Sequence, residues 1–337
     1  MNTFKNLQVI QMDKIPVSLL LKSPVNLRSL TGENGLNNFI TDKNLHRPQL
    51  ALAGYVSLFT FHRVQVFGNT ECFYLRDLYR EDRIKAFKNI IQFPIPCIIL
   101  TNNNELDPEL IEMAKEANIV VLTTEYETTK ASTLLSEYLD DQFAEQVTVH
   151  ASFVDVYGVG ILFVGRSAIG KSEIALDLIE RGHRLVADDV VVLTKVRESV
   201  LMGTGTNLVQ HYMEIRGLGI IDVRQMFGVR AIRFQKRLEI IVELQEWKED
   251  NAYTRTGLDL EPINIMGINI DSIHLPIFPG KNITVIAEVI ALNYLLKTYG
   301  YNASEVFADK LKDLIKLRTN KGYHQERIIN YFQGDRE

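Results

Sequence analysis

The stretch Ile161-Leu-Phe-Val-Gly-Arg-Ser-Ala-Ile-Gly-Lys-Ser172 carries the spacing G-x-x-x-x-G-K-[ST] from Gly165 to Ser172. In such a loop two glycines let the backbone wrap with its N–H groups turned inward, the lysine reaches phosphate oxygens and the hydroxyl reaches a metal ion. Ile161 to Val164 reads as a short buried strand. Glu173 to Arg181 reads as a helix with Ile174 and Leu178 on one face, and Gly182 stands where a left-handed helix cap belongs. Strand, loop and helix in this order bring phosphates to the positive end of a helix dipole. The spacing therefore predicts a nucleotide-binding loop built from Gly165, Arg166, Ser167, Ala168, Ile169, Gly170, Lys171 and Ser172.

Outward from the loop the texture differs on its two sides. Upstream, β-rich runs at Tyr55–Phe61, Val64–Phe67, Cys97–Thr101 and Ile119–Thr123 alternate with a helical pattern at Asp107–Ala117, and Thr128–Phe143 reads as another helix. Nearer the loop, strands at Val147–Tyr157 and Val159–Val164 meet at a tight turn around Gly158, and His183–Val186, Val190–Leu193 and Leu238–Leu244 add more. Two helices follow, Ile283–Thr298 ending at Gly300, and Ser304–Leu317 with an apolar stripe of Phe307, Leu311, Leu314 and Ile315. The predicted fold class is α/β: an N-terminal α/β domain (1–132) whose role is not readable, a helical linker (133–146), a sheet-rich C-terminal domain carrying the loop (147–320), and a charged tail (321–337).

Two domains also fit the chain's 337 residues, 46% of them hydrophobic. With 37 Lys plus Arg against 42 Asp plus Glu, the net charge of -5 announces no basic face, so no nucleic-acid partner is expected. Met1 to Lys14 lacks the apolar core of a signal peptide, and the apolar run Thr284–Leu292 is short and interrupted by Glu288. No membrane span is expected, and the cytoplasm is the simplest address. Cys72 and Cys97 lie in apolar neighbourhoods and read as reduced core residues.

A phosphate loop binds a donor; transfer also needs a group to deprotonate the acceptor and groups to hold a metal. Asp188 and Asp189 follow the short strand Arg184–Val186, where one carboxylate can face an acceptor and the other a metal; the alternative is a solvated Asp-Asp turn. His150 sits on a strand that hairpins back toward the loop, equally readable as a structural histidine. Glu214-Ile-Arg216-Gly217 could supply a metal contact and a phosphate clamp, or be an ordinary turn with a surface charge. The cations Arg224, Arg230, Arg233, Lys236 and Arg237 read best as a solvated face.

Taken together, His150, the Gly165–Ser172 loop with Glu173, Asp188-Asp189 and the run Met213-Glu-Ile-Arg-Gly-Leu-Gly-Ile-Ile-Asp222 resemble the bacterial HPr kinase/phosphorylase family. The resemblance extends to Arg47–Gly54, Arg63–Gly68 and Pro96–Thr101 upstream, and to Arg255-Thr-Gly-Leu-Asp259 and Pro279–Asn282 downstream. It implies a bifunctional enzyme that phosphorylates a regulatory serine of the phosphocarrier HPr with ATP or pyrophosphate, and reverses the modification by phosphorolysis. It further implies Mg2+, a homohexamer, a role in carbon catabolite control, and kinship with phosphoenolpyruvate carboxykinase-like kinases. By the same resemblance Asp188 is the general base, His150 assists near the attacking phosphate and Arg255 is catalytic. Lys171, Arg216 and Lys281 bind phosphate, while Ser172, Glu173 or Asp189, and Glu214 surround the metal.

The chain departs from that family's pattern at four places. Arg166 and Ala168 stand within the loop, Ala168 where glycine is usual. Ala151 follows the histidine in place of glycine, and Phe278 with Lys281 replaces a basic residue and an arginine. Lysine is a point charge where arginine offers two prongs, so phosphorolysis is the half most exposed to this change. Two other readings are open: a nucleotide-driven switch or ATPase, which hydrolyses ATP without an acceptor, and a small-molecule kinase indifferent to HPr.

Overall fold

The computed structural model describes Phe4 and residues 7–206, 210–247, 261–278 and 280–320. Arg255, Pro279 and the tail 321–337 lie outside the described residues. The chain divides into two units, one of Lys5–Val149 with Val192–Met202, the other of Met1–Phe4, His150–Val191 and Gly203–Glu337.

The first unit is built on a five-stranded sheet in the order Arg28–Ser29, Val120–Thr123, Cys97–Leu100, Val64–Phe67, Leu45–His46. The last four strands run parallel. Both faces are buried, so each strand reads as a continuous apolar run and its alternate residues enter different cores. Ile98, Leu100 and Val121 pack with Phe87 and Ile90 of the helix Arg80–Ile91 and with Leu110 of Pro108–Glu116. Cys97, Ile99, Val120 and Leu122 pack on the other side with Ile15, Leu20 and the helix Thr128–Gln142. Cys72 and Cys97 are buried free thiols, and burial pushes the Cys72 thiol up to about 12.

One expectation changes here. Tyr55–Phe61, β-rich in composition, is a string of turns; Phe59 meets Phe93 edge-on at 5.4 Å and Phe61 stacks on it at 5.5 Å, so ring packing decided a segment that propensity assigned to a strand. The segment 133–146, expected as a helical linker, is largely the end of the helix Thr128–Gln142. Ala131, Leu135 and Leu139 are fully buried in the first unit's core, which makes this helix one of its walls.

The second unit contains a six-stranded mixed sheet in the order Arg184–Ala187, Ser152–Val156, Val159–Val164, Ile240–Glu246, Ile268–Ile277, Glu261–Ile265. Val159–Val164 is antiparallel to Ser152–Val156 through a two-residue turn in which Tyr157 (φ 53°) and Gly158 (φ 86°) are both left-handed, the geometry that matches strand twist. On its other side it runs parallel to Ile240–Glu246, which in turn runs parallel to Ile268–Ile277. The helix Lys171–Glu180 buries Ile174, Ala175, Leu178 and Ile179 in a core with Val154, Phe163 and Val242, joined by Ile283, Ala287 and Ala291 of the helix Ile283–Thr298. Met213 and Ile221 bring the hairpin Tyr212–Ile215/Gly219–Asp222 into the same core. In the last helix, Phe307, Leu311 and Ile315 are exposed, and the Leu314 side chain is outside the described residues.

Candidate active site

The glycine loop begins where the strand Val159–Val164 ends, beside the still-running parallel strand Ile240–Glu246. Gly165 follows the strand at φ 153°, and a Cβ placed on it would lie 2.8 Å from the Leu244 carbonyl, so the close strand–loop approach admits only glycine. Gly170 is left-handed at φ 101° and caps the helix that starts at Lys171. Ala168 is also left-handed, at φ 67°, in the position where the resemblance led us to expect glycine. Lys171 Nζ donates to the carbonyls of Gly165 and Arg166, both at 3.3 Å, folding across its own loop. Arg166 pairs with Glu246, while Ser167 is exposed and Ile169 half-buried.

The acidic pair is aimed by an irregularity in the sheet. Leu185 pairs with Val154 but Ala187 with Phe153, a bulge at Val186 that turns the chain just before Asp188. Asp188 is 4% exposed and accepts a hydrogen bond from the buried Ser152 hydroxyl. Its second oxygen, Oδ2, is buried without a hydrogen-bond partner. Burial raises the Asp188 carboxyl above its ordinary range, offset in part by the Ser152 and Ser172 hydroxyls and the Asp189 backbone N–H.

Asp189 takes the left-handed conformation, φ 64°, and faces outward. His150 Nδ1 lies 3.1 Å from its carbonyl and 3.3 Å from its Oδ1, and the Ala151 N–H donates to the same carbonyl at 3.2 Å. His150 thus meets Asp189, and the adjacent Asp188 turns inward to Ser152. Ser152 was not read from the sequence; its signal was position alone, two residues beyond His150 on the strand that pairs with the one preceding Asp188.

A cleft of about 400 Å³ opens beside the loop, lined by Ile169, Gly170, Glu173, Asp177, Lys281 and Thr284 among others. The Lys281 ammonium donates to the Pro276 carbonyl at 3.1 Å and lies 5.3 Å from the centre of the Phe278 ring. Glu214 and Arg216 are exposed on the hairpin, Arg216 at its turn, and neither side chain makes a hydrogen bond or ion pair among the described residues. Among those residues no group of three His, Cys, Asp and Glu side chains is placed to hold a metal ion. No single helix is long and apolar enough to cross a membrane.

Known proteins share both units. The family model "HPr Serine kinase N terminus" matches residues 15–139 and "HPr Serine kinase C-terminal domain" matches 141–311. A protein named HPr kinase/phosphorylase from Chloroherpeton thalassium is 55% identical over 313 residues, 93% of this chain and 92% of its own length. Its namesake from Prosthecochloris aestuarii is 52% identical over 86% of each chain. Among solved structures, the HPr(Ser) kinase/phosphatase from Coxiella burnetii aligns over 48% of this chain and 97% of its own, with 36% identity and a TM-score of 0.43. With both halves matched by the family's models and more than half of the residues shared with a relative along nearly its whole length, the chain belongs to the HPr kinase/phosphorylase family.

Proposed function

We propose that this chain transfers phosphate from ATP or pyrophosphate to a regulatory serine of HPr, and that the same site removes it by phosphorolysis. The observation that carries the reading is Asp188: a buried carboxylate with one oxygen held by Ser152 and the other unpartnered. An elevated carboxyl affinity for protons suits a group that must take one and later return it.

In the forward direction the serine oxygen attacks the terminal phosphorus, the bond to the departing ADP (or phosphate) breaks, and Asp188 takes the hydroxyl proton. In reverse, an oxygen of inorganic phosphate attacks the seryl phosphate. The Ser–O–P bond breaks, Asp188 returns a proton to the serine oxygen, and pyrophosphate is the product. The backbone N–H groups of the loop and Lys171 bind the transferred phosphates, with Lys281 beside the cleft and Arg216 as a further clamp. His150, fixed against Asp189, assists near the attacking phosphate. Arg255 is read as catalytic from the resemblance alone.

The oxygen donors fit magnesium, which is bound through one or two carboxylates, phosphates and retained waters rather than by an all-protein cage. Ser172 and Glu214, with Asp189 or Glu173, would hold it, and when bound it would neutralise charge on the phosphates. A magnesium ion held in this way would enter with its phosphate substrate. By family likeness we further propose a phosphate-loop kinase related to phosphoenolpyruvate carboxykinase-like enzymes, a homohexamer, a cytoplasmic address and a part in carbon catabolite control. The test is pyrophosphate release from serine-phosphorylated HPr on adding inorganic phosphate and Mg2+: release supports the reverse half, and its absence with the forward reaction intact removes it.

A further inference from the structure

Beyond the loop, at the same end of the sheet, stands a pair of aromatic rings for which the transfer reaction has no use. Ile240–Glu246 and Ile268–Ile277 run parallel in register, Glu246 opposite Ile277, so the next residues, Trp247 and Phe278, emerge side by side. The Trp247 N–H donates to the Ile277 carbonyl at 3.1 Å and fixes the exit. The rings meet edge-on, centroids 5.4 Å apart and planes at 64°, yet Trp247 is 46% and Phe278 41% exposed. Rings of this size, half open to water on backbone positions fixed by strand pairing, offer a face to a flat partner.

Their position relative to the loop says which partner. Gly165 packs on the Leu244 carbonyl, three residues before Trp247 on an extended strand, about 10 Å along the strand direction. A ribose and an α-phosphate span such a gap between a β-phosphate in the loop and a base on the rings. Lys281 links the two places, since it lines the cleft beside Gly170 and Glu173 while its ammonium sits against the Phe278 ring.

We propose that Trp247 and Phe278 form a platform on which the nucleobase of the phosphate donor stacks, so that this chain favours a nucleoside triphosphate over pyrophosphate. The inference rests on the phosphate-loop reading of residues 165–172. Stacking on an aromatic face is tolerant of base identity, so the platform selects for the presence of a base more than for adenine. Phe278 stands where the family pattern led us to expect a cation, and an aromatic ring there exchanges a contact that pyrophosphate could use for one that only a nucleotide can.

Trp247 is the chain's single tryptophan, so its emission reports the platform without a label. Mg-ATP and Mg-pyrophosphate are each titrated by calorimetry and by tryptophan fluorescence into the full chain and into Phe278→Leu and Phe278→Tyr. The expected result is that ATP changes Trp247 emission and pyrophosphate does not. Phe278→Leu should weaken ATP roughly tenfold, within the range of base–aromatic stacking, and leave pyrophosphate unchanged, while Phe278→Tyr, which keeps the ring, retains ATP affinity. Equal weakening of both ligands by Phe278→Leu, or an emission blind to bound ATP, overturns the platform and leaves the loop reading standing. If neither ligand binds the parent chain, the loop reading fails and the platform with it.

Discussion

The Ser152 hydroxyl donates to Oδ1 of Asp188, and the other oxygen of that carboxylate is buried without a partner. A buried carboxylate left half-satisfied costs stability, and such costs persist where the group has a task. Asp188→Asn keeps the Ser152 contact through its own oxygen and removes the proton acceptor. It should retain ATP affinity and lose at least about a hundredfold in phosphate transfer. Transfer at the parent's rate would show that Asp188 is not the base.

The same substitution has a pH signature. Burial raises the folded carboxyl above its unfolded value of 3.8, so the native state holds its proton more tightly and parent stability declines as pH rises through that window. Asp188→Asn should therefore have the higher melting temperature at pH 7, with the gain vanishing at about pH 4 and below. A constant difference across that range would contradict the assigned cause.

Much of this site was legible in the sequence because its parts are local. Gly165 and Gly170 are needed for close approach and a left-handed turn, and the helix from Lys171 follows at once. The Val186 bulge was not legible, since nothing in Arg-Leu-Val-Ala announces a register shift, and without it the Ser152–Asp188 contact is invisible. Arg80–Ile91 was missed for a different reason: Arg80, Glu81, Asp82, Arg83, Lys85 and Lys88 hide a buried face of Ala86, Phe87 and Ile90. The strand Ile268–Ile277, where Asn269 and Asp271 alternate with Ile268 and Ile270, was likewise unread.

Glu288, which in sequence only interrupts an apolar run, ties two helices of the second unit. It accepts from Arg181 through both oxygens, at 2.8 and 2.6 Å, and lies 3.0 Å from His183 Nε2. These contacts, the Arg181 hydrogen bond foremost, hold its carboxyl down at about 2. Glu288→Gln should cost about 1–2 kcal/mol at neutral pH, the lower part of the range because Arg181 is nearly half exposed. The parent's advantage is complete above pH 4.5, the carboxyl's unfolded value, and is lost as pH falls toward 2. Thermal melts of both proteins from pH 2 to 7 check it.

Two loop substitutions should act in opposite directions. Gly165→Ala drives a methyl to within 2.8 Å of the Leu244 carbonyl and should cost about 1–3 kcal/mol and most nucleotide affinity. Ala168→Gly relieves a left-handed alanine, φ 67°, and should gain about 0.5 kcal/mol after the entropy of the added glycine is deducted. Denaturant melts separate the two, and a destabilised Ala168→Gly would mean the alanine methyl packs favourably.

The most direct test of the whole account is mass spectrometry of HPr after incubation with this chain, ATP and Mg2+, beside the Asp188→Asn variant. The account predicts one phosphate on an HPr serine with the parent, little or none with the variant, and slow ATP loss when HPr is absent. Unmodified HPr, with ATP consumed equally fast whether or not HPr is present, would contradict it.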